Sequence, residues 1–280
     1  MTVVTMVEYG QLPAVRVTAP DGAQATVALF GAHLLSWRTA DGKEHLFCSA
    51  RSALDGSKAI RGGVPVIFPQ FNARGDGPRH GFARTSTWRL AGSGSEDGRA
   101  WAELVLAPSD LAAPVAQAWP HAFELRLRFT LGGPALDMDC TVRNPGTHAF
   151  PFGVALHTYF DVGRLDAAGI EGLQHCRYTD HQLATLEQQE PVLRFTEKTD
   201  HLYQAPPALT LRTADGALRL EQQGYSEWVV WNPGAADAAA LADMADDEYL
   251  RFVCIEPARV DQQQLAPGSQ WVGRHRISRG

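Results

Sequence analysis

The chain has 280 residues, of which 45% are hydrophobic and 20% are charged, as in an ordinary globular protein. Its 25 Lys and Arg residues against 31 Asp and Glu residues give a formal net charge of -6. DNA and anionic membranes are bound through broad basic faces, so this balance argues against a nucleic-acid or membrane partner. No stretch approaches the roughly 18 uninterrupted apolar residues that a membrane-spanning helix needs.

Signals for export are missing from the start of the sequence. Residues 1–10, MTVVTMVEYG, contain neither the basic nor the long apolar region of a signal peptide. The four cysteines (Cys48, Cys140, Cys176 and Cys254) lie far apart without a CxxC pair, which predicts reduced thiols and no disulfide framework or metal site. We therefore expect a cytoplasmic protein; its oligomeric state is left open, and a monomer fits.

In chain order, most segments alternate apolar and polar residues with a period of two, which is typical of half-buried β-strands. The clearest runs are AVRV, AQATVALF, WAELVLA, FELRLRFTL, ALDMDCTVRN and ALRLEQQ. Residues that favour tight hairpin turns separate such runs. They are Asp21-Gly22, Asp41-Gly42, Asp97-Gly98, Gly132-Gly133-Pro134 and Asp215-Gly216.

Helical patterns are confined to two short segments. One runs from Pro108 to Val115 and the other, AADAAALADM, from Ala235 to Met244. No internal repeat or low-complexity linker divides the chain. The sequence therefore predicts an all-β protein, a single antiparallel β-sandwich domain over residues 1–280 with few short helices.

Three segments break the alternation and place a chargeable residue beside an apolar run. They are AIRGGVPVIFPQF (59–71), FGVALHTYFDV (152–162) and DDEYLRFVCIEPARV (246–260). Glu256 follows four apolar residues, and the pattern alone leaves it either at a solvated strand end or in a cleft. His157 follows Ala-Leu, and the pattern alone fits a hydrogen-bonded core histidine as well as a functional one.

Positive charge gathers in PRHGFARTSTW, residues 78–88, of this acidic chain. Arg79 and Arg84 flank His80 there, close to a glycine that lets a ligand approach the backbone. One interpretation is a solvated loop whose arginines face water. The other is a local binding site for an anion such as a phosphate, which guanidinium groups bind through paired hydrogen bonds.

Seven ordered blocks resemble the hexose-6-phosphate mutarotases (glucose-6-phosphate 1-epimerases), a branch of the aldose 1-epimerase superfamily. The blocks are GAHLLSW at Gly31, IRGGVPVIFPQF at Ile60, HGFAR at His80, LHTYF at Leu156, TDHLY at Thr199, VVWNP at Val229 and DDEYLRFVCIEPA at Asp246. The resemblance implies a large twisted antiparallel β-sandwich, galactose mutarotase-like, with the sugar in a cleft on one concave face. It also implies a hexose 6-phosphate as the small-molecule substrate, glucose 6-phosphate first.

The resemblance places the catalytic histidine at His157 and the catalytic glutamate at Glu256. Interconverting sugar anomers requires a base that takes the proton from O1 and an acid that protonates the ring oxygen O5. Glu256 as carboxylate suits the base and His157 as imidazolium suits the acid. Two titratable groups suffice for this reaction, so no cofactor and no metal are expected. The apolar run before Glu256 is expected to raise its pKa.

The resemblance also assigns the substrate contacts. The phosphate and sugar contacts fall on Arg61 of IRGG and Arg84 of HGFAR, and a further contact falls on Asp200. His80 stands where the superfamily has a second histidine near the ring. Arg79 is a departure, because the family usually has glutamine there; a third arginine either strengthens phosphate binding or turns outward.

Other function classes fit less well. An epimerase of unphosphorylated sugars has no need for several converging arginines, and a non-catalytic carbohydrate-binding sandwich needs neither His157 nor Glu256 in particular. A zinc hydrolase is not expected without HExxH, nor a serine hydrolase without G-x-S-x-G. The glycine signatures of P-loop and Rossmann nucleotide enzymes are missing as well.

Overall fold

Antiparallel strands dominate the computed structural model, which describes residues 3–204 and 208–280. In chain order the strands are β1 (Val4–Tyr9), β2 (Leu12–Thr18), β3 (Gln24–Ala28), β4 (His33–Arg38), β5 (Val66–Ile67), β6 (Arg89–Glu96), β7 (Arg99–Leu106), β8 (Glu124–Gly132), β9 (Ala135–Arg143), β10 (Phe150–Leu156), β11 (Tyr159–Asp161), β12 (Gly169–Glu171), β13 (Arg177–Thr179), β14 (Thr185–Glu187), β15 (Val192–Leu193), β16 (Thr199–Gln204), β17 (Ala208–Thr213), β18 (Gly216–Gln223), β19 (Glu227–Asn232), β20 (Phe252–Leu265) and β21 (Gln270–Arg279). The α-helices are α1 (Ala113–Ala118) and α2 (Gly234–Ala239), and short 3-10 turns cover Ala83–Thr85, Pro108–Asp110, Leu165–Ala167 and Glu248–Arg251.

The strands form three sheets. The four-stranded sheet has the order β1-β2-β3-β4, and the nine-stranded sheet has the order β15-β12-β17-β18-β21-β9-β8-β7-β6. The eight-stranded sheet has the order β14-β13-β16-β19-β20-β10-β5, with β11 paired to β20. Neighbouring strands in all three sheets are antiparallel. None of the helices that the structure describes is long and apolar enough to cross a membrane.

The main core cluster takes side chains from all three sheets, and strand alternation decides which side chains enter it. Val253 and Ile255 of β20 belong to the same buried cluster as Phe129 of β8 in the nine-stranded sheet. Because successive side chains of a strand point to opposite faces, Cys254 and Glu256 lie on the face of β20 turned away from this core. The predicted β-sandwich with few short helices is thus confirmed, and its outer face carries Glu256.

Four of the five predicted turns join paired antiparallel strands: β2 to β3, β6 to β7, β8 to β9 and β17 to β18. The fifth predicted turn, at Asp41-Gly42, also folds the chain back in an antiparallel direction, but the returning segment is too short to be a strand. The Thr39 N–H donates to the Lys43 carbonyl at 3.2 Å and the His45 N–H to the Trp37 carbonyl at 3.1 Å, on either side of a bridge between Arg38 and Glu44. The Glu44 carboxylate also accepts the Trp37 backbone N–H at 2.9 Å.

Both predicted helical segments contain helix, but with different bounds. The first divides into a 3-10 turn, Pro108–Asp110, and helix α1. The second prediction, Ala235 to Met244, was wrong beyond Ala239, where α2 ends. The residues that follow turn inward, because the Asp243 carboxylate pairs with an arginine and Met244 is buried in an apolar cluster. This inward turn brings the segment after α2 to the wall of a cavity on the outer face of the eight-stranded sheet.

Candidate active site

The three segments that break the alternation meet in a cavity of about 230 Å³ on the outer face of the eight-stranded sheet. The residues predicted for the site all line this cavity: Arg61, Arg79, His80, Arg84, His157, Asp200 and Glu256. They come from segments as distant in the chain as residues 61 and 256, so only the folded sheet brings them together. This convergence is the geometry that a small ligand with an anionic group would need.

His157 and Glu256 form a close pair at the floor of the cavity. The Nδ1 atom of His157 lies 3.3 Å from Oε1 of Glu256, and the two side chains are 12% and 1% exposed. His157 follows the last residue of β10 and is anchored by its backbone N–H, which donates to the Pro65 carbonyl at 3.0 Å. The Glu256 Oε2 atom has no hydrogen-bond partner in the described part of the chain. This oxygen atom is therefore available to accept a hydrogen bond from a ligand.

Burial determines the protonation of this pair. Burial raises the pKa of Glu256 well above its ordinary value, and the charge of Asp200 adds to this effect. Burial also lowers the pKa of His157 well below its ordinary value, with a further contribution from His80. Both effects favour the uncharged forms, a carboxylic acid beside a neutral imidazole. The raised pKa of Glu256 agrees with the expectation from its apolar neighbours.

The Arg61 guanidinium is held on two sides. Its Nε donates to Oδ1 of Asp243 at 3.2 Å, and its Nη1 donates to the Tyr159 hydroxyl at 3.0 Å. The remaining N–H groups of a guanidinium with two such contacts are free for a ligand. Arg61 is thus a fixed donor at the cavity wall, with only 22% of its side chain exposed.

Two glycines after Arg61 let its loop pass close to neighbouring backbone. Gly62 has a φ of 121°, and a Cβ there would lie 2.4 Å from Cys48 Cα. Gly63 has a φ of 56°, and a Cβ there would lie 2.3 Å from the Leu34 carbonyl oxygen. No other residue fits these positions without moving the backbone. The Gly-Gly pair therefore positions Arg61 as well as allowing the close approach.

The arginine-rich stretch folds as a tight loop beside the acid–base pair. The Arg84 Nη2 donates to the Arg79 backbone carbonyl at 2.8 Å, which ties the two ends of the stretch together. The His80 Nδ1 accepts the Asn72 backbone N–H at 3.2 Å, and its ring centroid lies 5.9 Å from that of His157. Burial lowers the pKa of His80 to about 3, so this imidazole is neutral. Arg79 is exposed and lines the cavity.

Asp200 belongs to a row of residues that crosses three neighbouring strands. The register pairs Asp200 of β16 with Trp231 of β19, and Trp231 with Cys254 of β20. Glu256 lies two residues further along β20, on the same face as Cys254. Burial raises the pKa of Asp200. Its carboxyl group is thus a partly buried polar group on the same face of the sheet as Glu256.

A comparison with protein families decides the relationship of the chain. The family model described as aldose 1-epimerase matches residues 13–278, which is nearly the whole sequence. The chain belongs to the aldose 1-epimerase family. Two relatives, from Cenchrus ciliaris and Escherichia coli, carry the name "Putative glucose-6-phosphate 1-epimerase". They are 34% and 33% identical, over 91% and 86% of this chain and 80% and 81% of their own.

Two solved structures have the same fold as this chain. A crystal structure from Salmonella typhimurium, described as a "putative mutarotase", superposes with a TM-score of 0.89 at 28% identity, covering 100% of this chain and 94% of the other. A galactose mutarotase-like protein from Clostridium acetobutylicum superposes with a TM-score of 0.79 at 15% identity, covering 99% and 98%. The galactose mutarotase-like fold that the sequence predicts is therefore confirmed.

Two further cavity residues were not singled out in the sequence. Tyr159 lies two residues after His157, so strand alternation indicates that they share a face, and their rings stack at 4.9 Å with an interplanar angle of 10°. Asp243 lies within a segment predicted as helix, and no sequence pattern indicated that its side chain would reach the cavity. Its contact with Arg61 spans 182 residues of sequence and depends on where α2 ends.

Proposed function

We propose that the protein is an isomerase that interconverts the α and β anomers of a hexose 6-phosphate, with glucose 6-phosphate as the first candidate. The observation that carries the proposal is one cavity that joins a buried His–Glu pair to three arginines. The pair provides proton transfer, and the arginines provide a site for a dianion. The names of the relatives support the same substrate class.

Ring opening is the first step of the proposed reaction. The Glu256 carboxylate removes the proton from the O1 hydroxyl, and the His157 imidazolium gives a proton to the ring oxygen O5 as the C1–O5 bond breaks. Rotation about C1–C2 then turns the other face of the aldehyde toward O5, and the reverse transfers close the ring. After opening, Glu256 is a carboxylic acid and His157 a neutral imidazole. Burial favours these forms.

The first step starts from the ionic form of the pair, which burial disfavours. The positive charges of Arg61 and Arg84 add to burial in lowering the pKa of His157. A bound phosphate dianion beside these arginines offsets their charge, and this raises the pKa of His157 toward the imidazolium form. In the proposed reaction the phosphate therefore serves both affinity and proton transfer.

The proposed phosphate contacts are Arg61, Arg84 and Arg79, and the proposed sugar contacts are His80 and Asp200. The Arg84 Nε has no hydrogen-bond partner in the segments that the structure describes, and Arg61 keeps N–H groups free beyond its contacts with Asp243 and Tyr159. Guanidinium groups bind phosphate through paired, charge-assisted hydrogen bonds. The proposed chemistry uses groups of one chain and requires neither a metal nor a cofactor.

The decisive experiment is exchange NMR of anomers in equilibrated glucose 6-phosphate, with and without the protein. We expect the protein to accelerate exchange of glucose 6-phosphate strongly, and of free glucose and galactose weakly. Faster exchange of the free sugars would favour the rival function, an aldose 1-epimerase of unphosphorylated sugars. Binding of these sugars without acceleration would favour a non-catalytic carbohydrate-binding protein.

A further inference from the structure

A third donor group lies beside the acid–base pair and has no part in the proposed proton transfer. Cys254 precedes Glu256 by two residues on β20, so both side chains lie on the same face of the strand. One ligand atom each from His157, Cys254 and Glu256 lies within 4.8 Å of the others. Cys254 is fully buried and forms no disulfide, and its thiol is hydrogen-bonded with the Tyr159 side chain.

These three donors form a coherent ligand set for a thiophilic divalent cation. Thiolate, imidazole and carboxylate are all zinc ligands, and three protein ligands with one open position are typical of catalytic zinc sites. Bonds of about 2.0–2.3 Å place neighbouring ligand atoms of a tetrahedral site roughly 3.5 Å apart. The observed group, with its ligand atoms within 4.8 Å of one another, is therefore slightly wider than a closed site, and small side-chain rotations would bring the three atoms onto one cation. The His157 Nδ1 and Glu256 Oε2 atoms are buried without a hydrogen-bond partner among the residues described, so coordination would also satisfy them.

The charge balance permits a cation in a cavity lined by arginines. Coordination releases one proton from the Cys254 thiol and one from the Glu256 carboxyl group, and His157 coordinates as a neutral imidazole. Two protons leave and one divalent cation enters, so the net charge of the group is unchanged. The positive field of the neighbouring arginines therefore does not oppose the exchange.

We propose that His157, Cys254 and Glu256 form a binding site for a thiophilic divalent cation such as Zn²⁺, and that the bound cation inhibits the protein. Coordination occupies the lone pairs of His157 and Glu256 that the proposed isomerisation uses, and it displaces the proton that they exchange with the sugar. The inhibitory part of this proposal depends on the proposed function, whereas the binding part does not.

Cobalt(II) is the probe for the binding part, because a thiolate bound to Co²⁺ gives a charge-transfer absorption in the near ultraviolet. We expect this band on titration of the full chain with Co²⁺, and its loss in Cys254→Ser. The control is Cys176→Ser, because Cys176 adjoins an exposed pair of His175 and Glu187 with a 3.3 Å contact. That variant should keep the band.

The same titrations also define the results that would contradict the proposal. A wild-type titration without the band would overturn it, and so would a band that persists in Cys254→Ser or disappears in Cys176→Ser. Circular dichroism checks the fold of each variant. If Cys254→Ser does not fold, Glu256→Gln replaces it in the titration, and an unweakened Co²⁺ affinity in that variant contradicts the site.

Inhibition is measured by anomer exchange of glucose 6-phosphate with Zn²⁺ or Mg²⁺ at equal concentration. Zn²⁺ should inhibit in competition with the sugar phosphate, and Mg²⁺, which prefers oxygen ligands, should not. Relative to its own uninhibited rate, Cys254→Ser should need at least about tenfold more Zn²⁺ for half-inhibition. Equal sensitivity of wild type and Cys254→Ser would refute inhibition at this site. A protein with the Co²⁺ band but no isomerase activity would refute the proposed function and leave the metal site standing.

Discussion

The acid–base pair and the arginine group line the same cavity, but different parts of the fold hold them. His157 and Glu256 are positioned by strands β10 and β20 of the sheet and are almost fully buried, and this burial lowers the pKa of His157 and raises the pKa of Glu256. Arg61 stands on a loop and Arg84 in the short 3-10 turn Ala83–Thr85, and they are held by a carboxylate, a phenol and a backbone carbonyl.

This difference follows from what each part is proposed to do. Proton transfer benefits from groups whose pKa values are shifted toward one another, which requires burial. Phosphate binding requires permanent charge and N–H groups that point into the cavity, which partly buried guanidinium groups at its wall provide. Strands provide the rigid, buried pair, and glycine-containing loops bring the arginines close to it. Substitutions in the acid–base pair should therefore lower kcat, whereas substitutions in the arginine group should raise KM.

The largest effect is expected for the acid–base pair. Glu256→Gln and His157→Asn each remove one proton-transfer group, so each should lower kcat for glucose 6-phosphate by about 10²–10⁴-fold. Exchange NMR measures the rate, and circular dichroism should show an intact fold, because both replacements are nearly isosteric. A folded Glu256→Gln variant with the wild-type rate would show that Glu256 is not the base.

A smaller effect, on KM, is expected for the arginine group. Arg84→Ala removes a charge-assisted contact worth about 1.5–3 kcal/mol, so KM for glucose 6-phosphate should rise roughly ten- to a hundredfold. Weak activity on free glucose should stay nearly unchanged. Arg79→Gln, which restores the residue usual in the family, should raise KM by less than about tenfold. An equal loss on both sugars in Arg84→Ala would place this arginine at the sugar ring or in the fold.

The pH dependence tests whether the pair works as one unit. The rate should follow a bell-shaped profile whose maximum lies where the pair holds one proton. On the acid side the pair gains a second proton at His157, whose lowered pKa places that limb below 6.5. On the alkaline side the last proton leaves at Glu256, whose raised pKa places that limb above 4.5. A rate that is flat with pH, after subtraction of buffer catalysis, would contradict two-group catalysis.

The smallest effect is expected at Asp243, which holds Arg61 without belonging to the acid–base pair. Asp243→Asn keeps an oxygen acceptor for the Arg61 Nε and removes a negative charge that repels phosphate, so KM should stay at or below the wild-type value. Asp243→Ala removes the acceptor, and loss of a hydrogen bond worth about 0.5–1.5 kcal/mol should raise KM roughly two- to tenfold. Identical KM values in the two variants would show that Asp243 does not position Arg61.

The sequence alone determined most of the fold and the predicted site residues. Alternation with a period of two follows from the local geometry of a strand, so the runs of apolar and polar residues predicted the strands directly. Turns at Asp97-Gly98 and Asp215-Gly216 were predictable because positive φ angles are a local property. The blocks around His157, Glu256 and Arg61 carried the family resemblance. The single domain over residues 1–280 and the roles of the site residues stay predictions.

Only the tertiary structure decided the contacts and the charge states. Asp243 meets Arg61 because the chain leaves α2 early and turns inward, a long-range packing event without a local pattern. The return after Asp41-Gly42 is closed in part by the Glu44 carboxylate, which accepts the Trp37 backbone N–H, a side-chain contact that the turn residues alone do not predict. The opposite pKa shifts of His157 and Glu256 depend on burial between several strands, since desolvation is a property of the packed sheet and not of the residues on either side in the chain.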